Sequence, residues 1–387
     1  AASASERTRR GSIRRRAACA GMVVAAINRR NRPPMAATGE ARTMTTTRRT
    51  LLGAAALAPL AAPYAARGQG ALTPVRFILD WAFQGPQGVY LMGLDRGFFR
   101  EEGLNVTIDR GFGSADTPVK VATGAYEFGI ADISPMIRMR LTQAQTDLVS
   151  PMVIAQGSPL AAMTLRRTGI TNPRQLEGRR VAAPETDAGR QFFPAFARAA
   201  GIDASRITWV TVQPQLREPM LARGDADAIT GFETSGVFSL RAVNVNPADI
   251  ISFRYAAAGV QLLSTALMCR RPYAEANPRV VTGMIRAIAR AHVEAWRDPD
   301  AAITALVRRD ATAPATLERE RMVANFEFIR TPEVLSAGFG NLPMPRVQGA
   351  IETIRTAFDI QTPLAAADLY LPQFMPADAA RFPAAAG

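Results

Sequence analysis

The sequence has few of the residues that most catalytic and metal sites require. Its 387 residues include two cysteines and one histidine, and Cys19 lies in an arginine-rich N-terminal region. Cys269 is alone in the rest of the chain, which excludes an intrachain disulfide and a Cys/His zinc cluster there. His292 would have to serve any Ser-His-Asp or Cys-His chemistry. Because it lies deep in a helix-like stretch, remote from the loops that follow the strands, we expect it to be structural.

Acidic residues are scarce only near the N-terminus. The whole chain has a formal net charge of +13, but residues 1–70 contain 13 arginines and only two acids, whereas residues 71–387 contain 33 basic and 31 acidic residues. The basic character therefore belongs to the leader, and we expect no nucleic-acid partner. Lys120 is the only lysine.

The leader has the pattern of an export signal. Thr47-Arg48-Arg49-Thr50-Leu51-Leu52 is a twin-arginine motif, and a modest apolar stretch and small residues follow it. That stretch is too short and weakly apolar for a membrane span, which needs about 20 apolar residues. We therefore predict a twin-arginine signal at 44–70, with a segment at 1–43 that is disordered or upstream of a start at Met44. The mature protein is expected in the periplasm.

The body of the chain alternates strand and helix signals twice, which favours an α/β fold. The first unit predicts strands at 75–79, 105–109 and 127–131. The second predicts strands at 180–183, 207–212 and 227–230. Apolar runs at 149–155, 160–165 and 262–268 suit strands that cross between two lobes. Lobe 1 is therefore expected at 71–160 plus about 262–387, and lobe 2 at about 161–261, with mostly helices after Tyr273.

Polar loops follow the predicted strands, where α/β lobes bind their ligands. The candidate ligand-binding residues in these loops are Asp80, Trp81, Gln84, Gly113, Ser114, Asp132, Ser134, Glu185, Thr186, Asp187, Arg190 and Glu233. Tyr255, after an apolar run in lobe 2, is a further candidate to close the cleft. Ser114 or Asp116 is also expected to cap the next helix.

Trp81 beside Asp80 offers a flat apolar face and a carboxylate acceptor. That pair suits a flat heteroaromatic ring that carries N–H donors. The alternative is that Trp81 packs in the core between the lobes and Asp80 caps a turn. Gly113 and Ser114 can present backbone N–H groups to a ligand oxygen, or they can form an ordinary helix cap. Tyr255 can close the cleft, or it can pack in the core.

Four segments of the first unit resemble the bacterial periplasmic solute-binding proteins of ABC importers for nitrate, sulfonate, taurine and thiamine-pyrimidine precursors. These segments are Leu79-Asp80-Trp81, Gly97-Phe98-Phe99-Arg100-Glu101-Glu102-Gly103-Leu104-Asn105-Val106, Gly111-Phe112-Gly113-Ser114-Ala115-Asp116 and Gly129-Ile130-Ala131-Asp132. Segments at 178–182 and 222–228 are similar to the second lobe of the same family. The resemblance covers about residues 72–300.

The resemblance implies a type II periplasmic-binding-protein fold, in which two α/β lobes joined by crossing strands enclose a ligand cleft. It further implies a monomer that needs no cofactor or metal, binds one small molecule and delivers it to an ABC permease and ATPase. Leu79-Asp80-Trp81 is most similar to the thiamine-pyrimidine branch. Gln84 and Gln87 replace the Asn and His often found there, so a flavin, another heteroaromatic, a sulfonate or a nitrate-like anion also remains open.

Two other functions remain as alternatives. Eukaryotic relatives of the pyrimidine branch are enzymes that build the ring from pyridoxal phosphate with an active-site histidine, and they carry a cysteine-rich motif that is missing here. A pyridoxal-phosphate-dependent synthase would have to use Lys120 in this chain. A sensory binding module with the same cleft is the other alternative. The expectation is a binding protein without catalysis.

Replacing Trp81 tests its predicted place in the cleft. Trp81→Ala should weaken ligand binding by about 1–3 kcal/mol, because a buried aromatic stack is lost, and should change fold stability less. Calorimetric titration and thermal unfolding of both proteins measure the two effects. A large fall in Tm with unchanged affinity would show that Trp81 belongs to the core.

Overall fold

The computed structural model describes residues 71–338 and 342–377 of the chain. The proposed export signal at 44–70 and the segment at 1–43 lie outside the described residues. The first unit consists of β1 (Thr73–Ile78), α1 (Gly85–Asp95), α2 (Phe98–Glu101), β2 (Leu104–Asp109), α3 (Asp116–Ala122), β3 (Phe128–Asp132), α4 (Ile133–Thr142) and β4 (Leu148–Val153).

A second unit repeats this alternation, and a helical region follows it. The second unit consists of β5 (Leu160–Leu165), β6 (Arg180–Ala183), α5 (Ala188–Ala200), β7 (Thr208–Thr211), α6 (Arg217–Arg223), β8 (Ala228–Phe232), α7 (Glu233–Ala242) and β9 (Ile250–Arg254). The remaining elements are β10 (Thr265–Arg270), α8 (Arg271–Ala276), α9 (Pro278–Arg297), α10 (Pro299–Arg309), α11 (Ala315–Ile329), α12 (Pro332–Ala337) and α13 (Met344–Ala357).

Two mixed five-stranded sheets form the two lobes. Their strand orders are β2-β1-β3-β10-β4 and β7-β6-β8-β5-β9. In lobe 1, β1 pairs in parallel with β2 and β3, and β10 runs antiparallel to β3 and β4. In lobe 2, β6 pairs in parallel with β7 and β8, and β5 runs antiparallel to β8 and β9. The chain changes sheets between β4 and β5 and again between β9 and β10, which confirms the predicted two-lobe α/β fold.

The apolar runs of the sequence become strands that are covered on both faces. Every residue of β3, β4 and β5 is buried, as expected for strands that have helices on each side. One core cluster joins the lobe 1 sheet to the helices packed on it and includes Phe77, Phe128 and Ile288. Another includes both Ile78 of lobe 1 and Phe192 of lobe 2, so apolar burial is continuous between the lobes.

Some predicted element boundaries differ from the structure. The crossing strand predicted at 262–268 is β10, which begins only at Thr265. The predicted cap of α3 by Ser114 or Asp116 is wrong, because Ala115 holds the N-cap position and no side chain caps the helix. The Ser114 hydroxyl instead bonds the Asp80 carboxyl.

The one cysteine of the described residues is buried in the lobe 1 sheet. Cys269 lies on β10 with no exposed surface, and burial raises the pKa of its thiol to about 12. Within residues 71–338 and 342–377, no group of His, Cys, Asp and Glu side chains could hold a metal ion. None of the helices in these ranges is both long and apolar enough to span a membrane.

Asp132 joins β3, the central strand of the lobe 1 sheet, to α4. Its Oδ1 accepts a hydrogen bond from the backbone N–H of Ser134 at 2.8 Å, which caps the helix. The side chain has no exposed surface, and Oδ2 has no hydrogen-bond partner among the described residues. Burial without a partner disfavours the charged form and raises the pKa of Asp132 to about 7.

Asp132→Asn should therefore stabilise the protein above neutral pH. With a folded pKa above the unfolded one, the wild-type residue contributes stability that is fully present below about pH 4 and is lost as the pH rises through about 7. The amide can still accept the Ser134 N–H and has no charge to bury. Denaturant unfolding at pH 5 and pH 8 should show that the substitution raises the free energy of unfolding more at pH 8 than at pH 5. An equal change at both pH values would contradict the cost of ionising Asp132 in the folded protein.

Candidate functional site

A cavity lies between the lobes, where loops from both sheets meet. Its volume is about 840 Å³, counting the part open to solvent. The polar residues of its wall are Asp80, Gln84, Gln87, Tyr90, Ser114, Asp187, Arg217, Thr234, Ser235, Thr265, His292, Arg321 and Asn325. The apolar ones include Trp81, Pro86, Val89, Ile130, Phe232, Phe326 and Ile329.

One corner of the cavity is rich in hydrogen-bond acceptors. Asp80, just beyond β1, is buried, and its Oδ1 accepts a bond from the Gln87 amide nitrogen at 3.2 Å. Burial raises the pKa of Asp80 to about 6. The other atom of the Gln87 amide, Oε1, is buried without a hydrogen-bond partner among the described residues. A bound molecule with N–H donors would satisfy this corner.

The structure corrects the expectation that His292 is remote from the strand-end loops. His292 lines the same cavity as Asp80, because α9 packs along α1 and brings its ring to 5.4 Å from the ring of Tyr90. Its Nδ1 lies 2.9 Å from the Ile288 carbonyl oxygen. Burial lowers the pKa of His292 to about 4, so the imidazole is neutral at physiological pH.

Arg217 is the centre of the lobe 2 wall, and the sequence analysis did not identify it. The side chain is 1% exposed. Its Nη1 donates to Asp187 Oδ2 at 3.0 Å and to the Thr230 carbonyl oxygen at 2.9 Å, and its Nε and Nη2 donate to Glu218 Oε1. The guanidinium carbon lies 4.9 Å from the centroid of the Trp81 ring, so a lobe 2 cation covers one face of the lobe 1 indole.

A second buried arginine comes from α11, which the sequence analysis also did not connect with the site. Arg321 is 2% exposed and lies 3.0 Å from Glu318. Its Nη1 donates to the backbone oxygen of Ser235 in lobe 2 at 2.8 Å. Glu318 also accepts the N–H of Gly85 at 2.6 Å, which fixes α11 to the start of α1.

The two lobes touch at both rims of the cavity. At one rim, the Ser235 hydroxyl donates to Gln84 Oε1 at 2.9 Å. At the other rim, the Thr186 hydroxyl donates to the Phe112 carbonyl oxygen at 2.6 Å. Gly113 has a φ of 138°, and a Cβ there would lie 2.4 Å from the Thr186 backbone oxygen. A glycine therefore allows the close approach of the lobes at this rim.

Five of the residues predicted from the sequence lie together on the cavity wall. They are Asp80, Trp81, Gln84, Ser114 and Asp187. Gly113 lies at the rim, where its N–H donates to the Asp80 carbonyl oxygen at 2.8 Å.

Three other candidates are buried in the lobes and do not line the cavity. Asp132 and Ser134 form the start of α4. The Ser134 hydroxyl donates to the Leu263 carbonyl oxygen at 3.3 Å. Tyr255 stacks on Phe196, with ring centroids 4.4 Å apart, and its hydroxyl donates to the Gly189 carbonyl oxygen at 2.8 Å. Tyr255 therefore lies in the core of lobe 2, as in the alternative interpretation of the sequence.

The remaining candidates lie outside the cavity. Glu185 and Thr186 line a shallower groove beside α4. Arg190 donates to the Ala183 carbonyl oxygen and the Thr211 hydroxyl. Glu233 forms an ion pair with Arg254 at 2.5 Å. Each of these polar groups therefore has a local structural partner or an exposed position.

The comparisons with known proteins agree with this architecture. A family model described as NMT1/THI5 like matches residues 87–302. A comparison with curated protein sequences gives no match.

Solved structures with the same fold include three at low sequence identity. The alkanesulfonate-binding protein SsuA from Xanthomonas axonopodis pv. citri, bound to MOPS, has a TM-score of 0.59 and 15% identity, over 79% of this chain and 98% of that one. The periplasmic aliphatic sulphonate binding protein SsuA from Escherichia coli has a TM-score of 0.57 and 14% identity, over 74% and 87%. A Candida albicans protein with the generic periplasmic binding protein fold has a TM-score of 0.59 and 12% identity, over 76% of this chain and 92% of that one.

These likenesses show that the described residues have the periplasmic-binding-protein fold. The family match covers more than half of the sequence and includes most of both sheets. The chain belongs to the NMT1/THI5-like family.

Proposed function

We propose that this protein is the exported solute-binding component of an ABC importer and that it holds a flat, nitrogen-containing ring in the cavity between its lobes. The observation that carries the proposal is the cavity itself, whose walls come from both lobes and which is closed at both rims. The names of two proteins with the same fold, from Xanthomonas axonopodis and Escherichia coli, describe sulfonate-binding proteins, which supports a binding role.

Entry of a solute requires the lobes to separate. Separation breaks the Gln84–Ser235 bond at one rim, the Thr186–Phe112 bond at the other and the bond from Arg321 to Ser235. Each of these polar contacts exchanges with water, so its net cost is modest, and a solute held by both lobes shifts the balance towards closure. The closed form is then the one that a permease would receive.

The acceptor corner supports a ring with N–H donors as the solute. Asp80 and Gln87 Oε1 offer acceptors, and Trp81 beside them offers an aromatic surface. Arg217 already covers one face of the indole, so a solute ring would stack on the rest of it. Buried acceptors discriminate strongly in favour of a partner that can donate to them.

The reactive side chains of the body support binding over catalysis. Lys120 forms an ion pair with Asp116 at 2.6 Å on α3 and does not line the cavity, so a Schiff-base role there has no support. His292 faces the cavity as a neutral ring bonded to its own helix. Cys269 is buried in the lobe 1 sheet.

The role of Asp80 predicts a pH-dependent affinity. Calorimetric titration with hydroxymethyl and formylamino pyrimidines, riboflavin, alkylsulfonates and nitrate should identify one class that binds. For a ring with N–H donors, affinity should fall as the pH drops through about 6, because protonation removes the carboxylate acceptor. Asp80→Asn should weaken binding by about 1.5–3 kcal/mol at pH 7.5 and flatten this pH dependence.

Asp109→Asn is the matched control for that variant. Asp109 lies at the end of β2, bonds the Tyr126 hydroxyl at 3.0 Å and does not line the cavity, so its variant should bind as the wild type does. A wild type that binds no member of the panel, or that converts a bound member covalently, would refute the proposed function. Equal affinities of Asp80→Asn and wild type would remove Asp80 from the site.

Export through the twin-arginine motif has its own test. The double variant Arg48→Lys and Arg49→Lys keeps the charge of the leader but changes the motif. In a bacterial host with a twin-arginine pathway, the full-length wild type should appear in the periplasmic fraction, and the double variant should remain in the cytoplasm. Equal export of both proteins would exclude this pathway.

A further inference from the structure

The arginines of the cavity wall already have anionic partners. Four hydrogen bonds hold the Arg217 guanidinium, and three of them go to the carboxylates of Asp187 and Glu218. Arg321 bonds Glu318 through Nη2 at 3.0 Å, and its Nη1 is directed to Ser235 and Ser239 in lobe 2. Each guanidinium charge is therefore already compensated by at least one buried carboxylate before a solute enters.

Carboxylates outnumber arginines when the cavity wall is counted together with Glu218 and Glu318, which lie behind it and bond the two wall arginines. Two buried arginines, Arg217 and Arg321, lie among four carboxylates, and the carboxylates are Asp80, Asp187, Glu218 and Glu318. All four are at most 8% exposed. His292, the other titratable cation on the wall, is neutral. An anion in this cavity would therefore add negative charge to a buried site that already has an excess of it.

The position of Arg217 is fixed by backbone geometry as well as by charge. Gly231 follows Thr230 at the end of β8 with a φ of 146°, and a Cβ there would lie 2.2 Å from Arg217 Nη1. The glycine leaves the space that the guanidinium fills. Arg217 therefore cannot turn towards a solute without leaving a packed position and two carboxylates, and burial of an unpaired charge is costly.

We infer that the cavity selects uncharged or cationic solutes and rejects anions such as sulfonates and nitrate. This inference rests on the proposed function and narrows its solute class. It separates this chain from the two sulfonate-binding proteins that share its fold. Selection by charge acts through repulsion of the wrong solute as much as through attraction of the right one.

Removal of the carboxylates that neutralise Arg217 should turn the cavity into an anion site. The double variant Asp187→Asn and Glu218→Gln keeps side-chain size and an acceptor oxygen at both positions but leaves Arg217 without a carboxylate partner. Calorimetric titration with ethanesulfonate and with nitrate is the measurement. The wild type should bind both with a Kd weaker than about 1 mM, and the double variant should bind at least one of them about tenfold tighter or more.

The control variant also removes two negative charges, but at positions outside the cavity. Asp109→Asn combined with Glu233→Gln removes two carboxylates from exposed or partly exposed ion pairs and hydrogen bonds, and should not gain anion binding. Thermal unfolding checks that each variant is folded. If the double variant is unfolded, Glu218→Gln alone replaces it. Asp187 still holds Arg217 in place, but Nε and Nη2 then donate to a neutral amide, so a smaller gain of the same sign is expected.

The outcomes separate the charge selection from the proposed function. Submillimolar binding of ethanesulfonate or nitrate by the wild type would overturn the selection against anions, but the protein would still be a solute-binding protein. A folded variant without any gain would also overturn it. Tighter anion binding by the cavity variant, but not by the control variant, would support the selection against anions. This holds even if the wild type binds no member of the wider panel, because that result would count against the proposed function alone.

Discussion

The lobe 2 side of the cleft is built around one buried guanidinium group, which is stable there only with nearby partners. A buried arginine needs carboxylate and carbonyl partners close by, since removal of one partner leaves an uncompensated charge. Arg217 begins α6, Asp187 caps α5, and Thr230 belongs to β8. One ion cluster therefore joins the starts of two helices to the end of a strand, and this arrangement determines the shape of the wall that faces lobe 1.

The lobe 1 wall meets this cluster with complementary chemistry. Trp81 packs its ring on the guanidinium, an arrangement in which a cation lies over an aromatic face. Arg321 extends from α11 to the backbone of Ser235. The closed state thus combines polar contacts between the lobes with buried arginines that pair with carboxylates of their own lobe.

Much of the fold could be predicted from the sequence because its signals are local. Apolar runs bounded by Gly and polar loops marked the strands, and their repetition after residue 175 marked the second lobe. The strand-end rule placed Asp80, Trp81 and Asp187 correctly at one cavity. The same rule also selected Tyr255 and Arg190, whose side chains turn into the lobe or along its surface, because strand-end position does not determine side-chain direction.

The residues that the sequence analysis missed come from elements other than strand ends. Arg217 starts a short helix, and Arg321 and His292 lie on long helices far along the chain. The positions of Arg321 and His292 at the cavity depend on helix packing between segments separated by more than 150 residues, as in the contact of Gly85 with Glu318. Their signal in the sequence is that of an ordinary charged or polar helix residue.

The helix α11 contributes to the cavity without belonging to either sheet. It begins at Ala315 and supplies Arg321, Asn325 and Phe326 to the cavity wall. Helix packing and the hydrogen bond from Gly85 to Glu318 position this part of the wall, whereas strand pairing positions the rest of lobe 1. A shift of α11 would therefore change the shape of the cavity without breaking a hydrogen bond of either sheet.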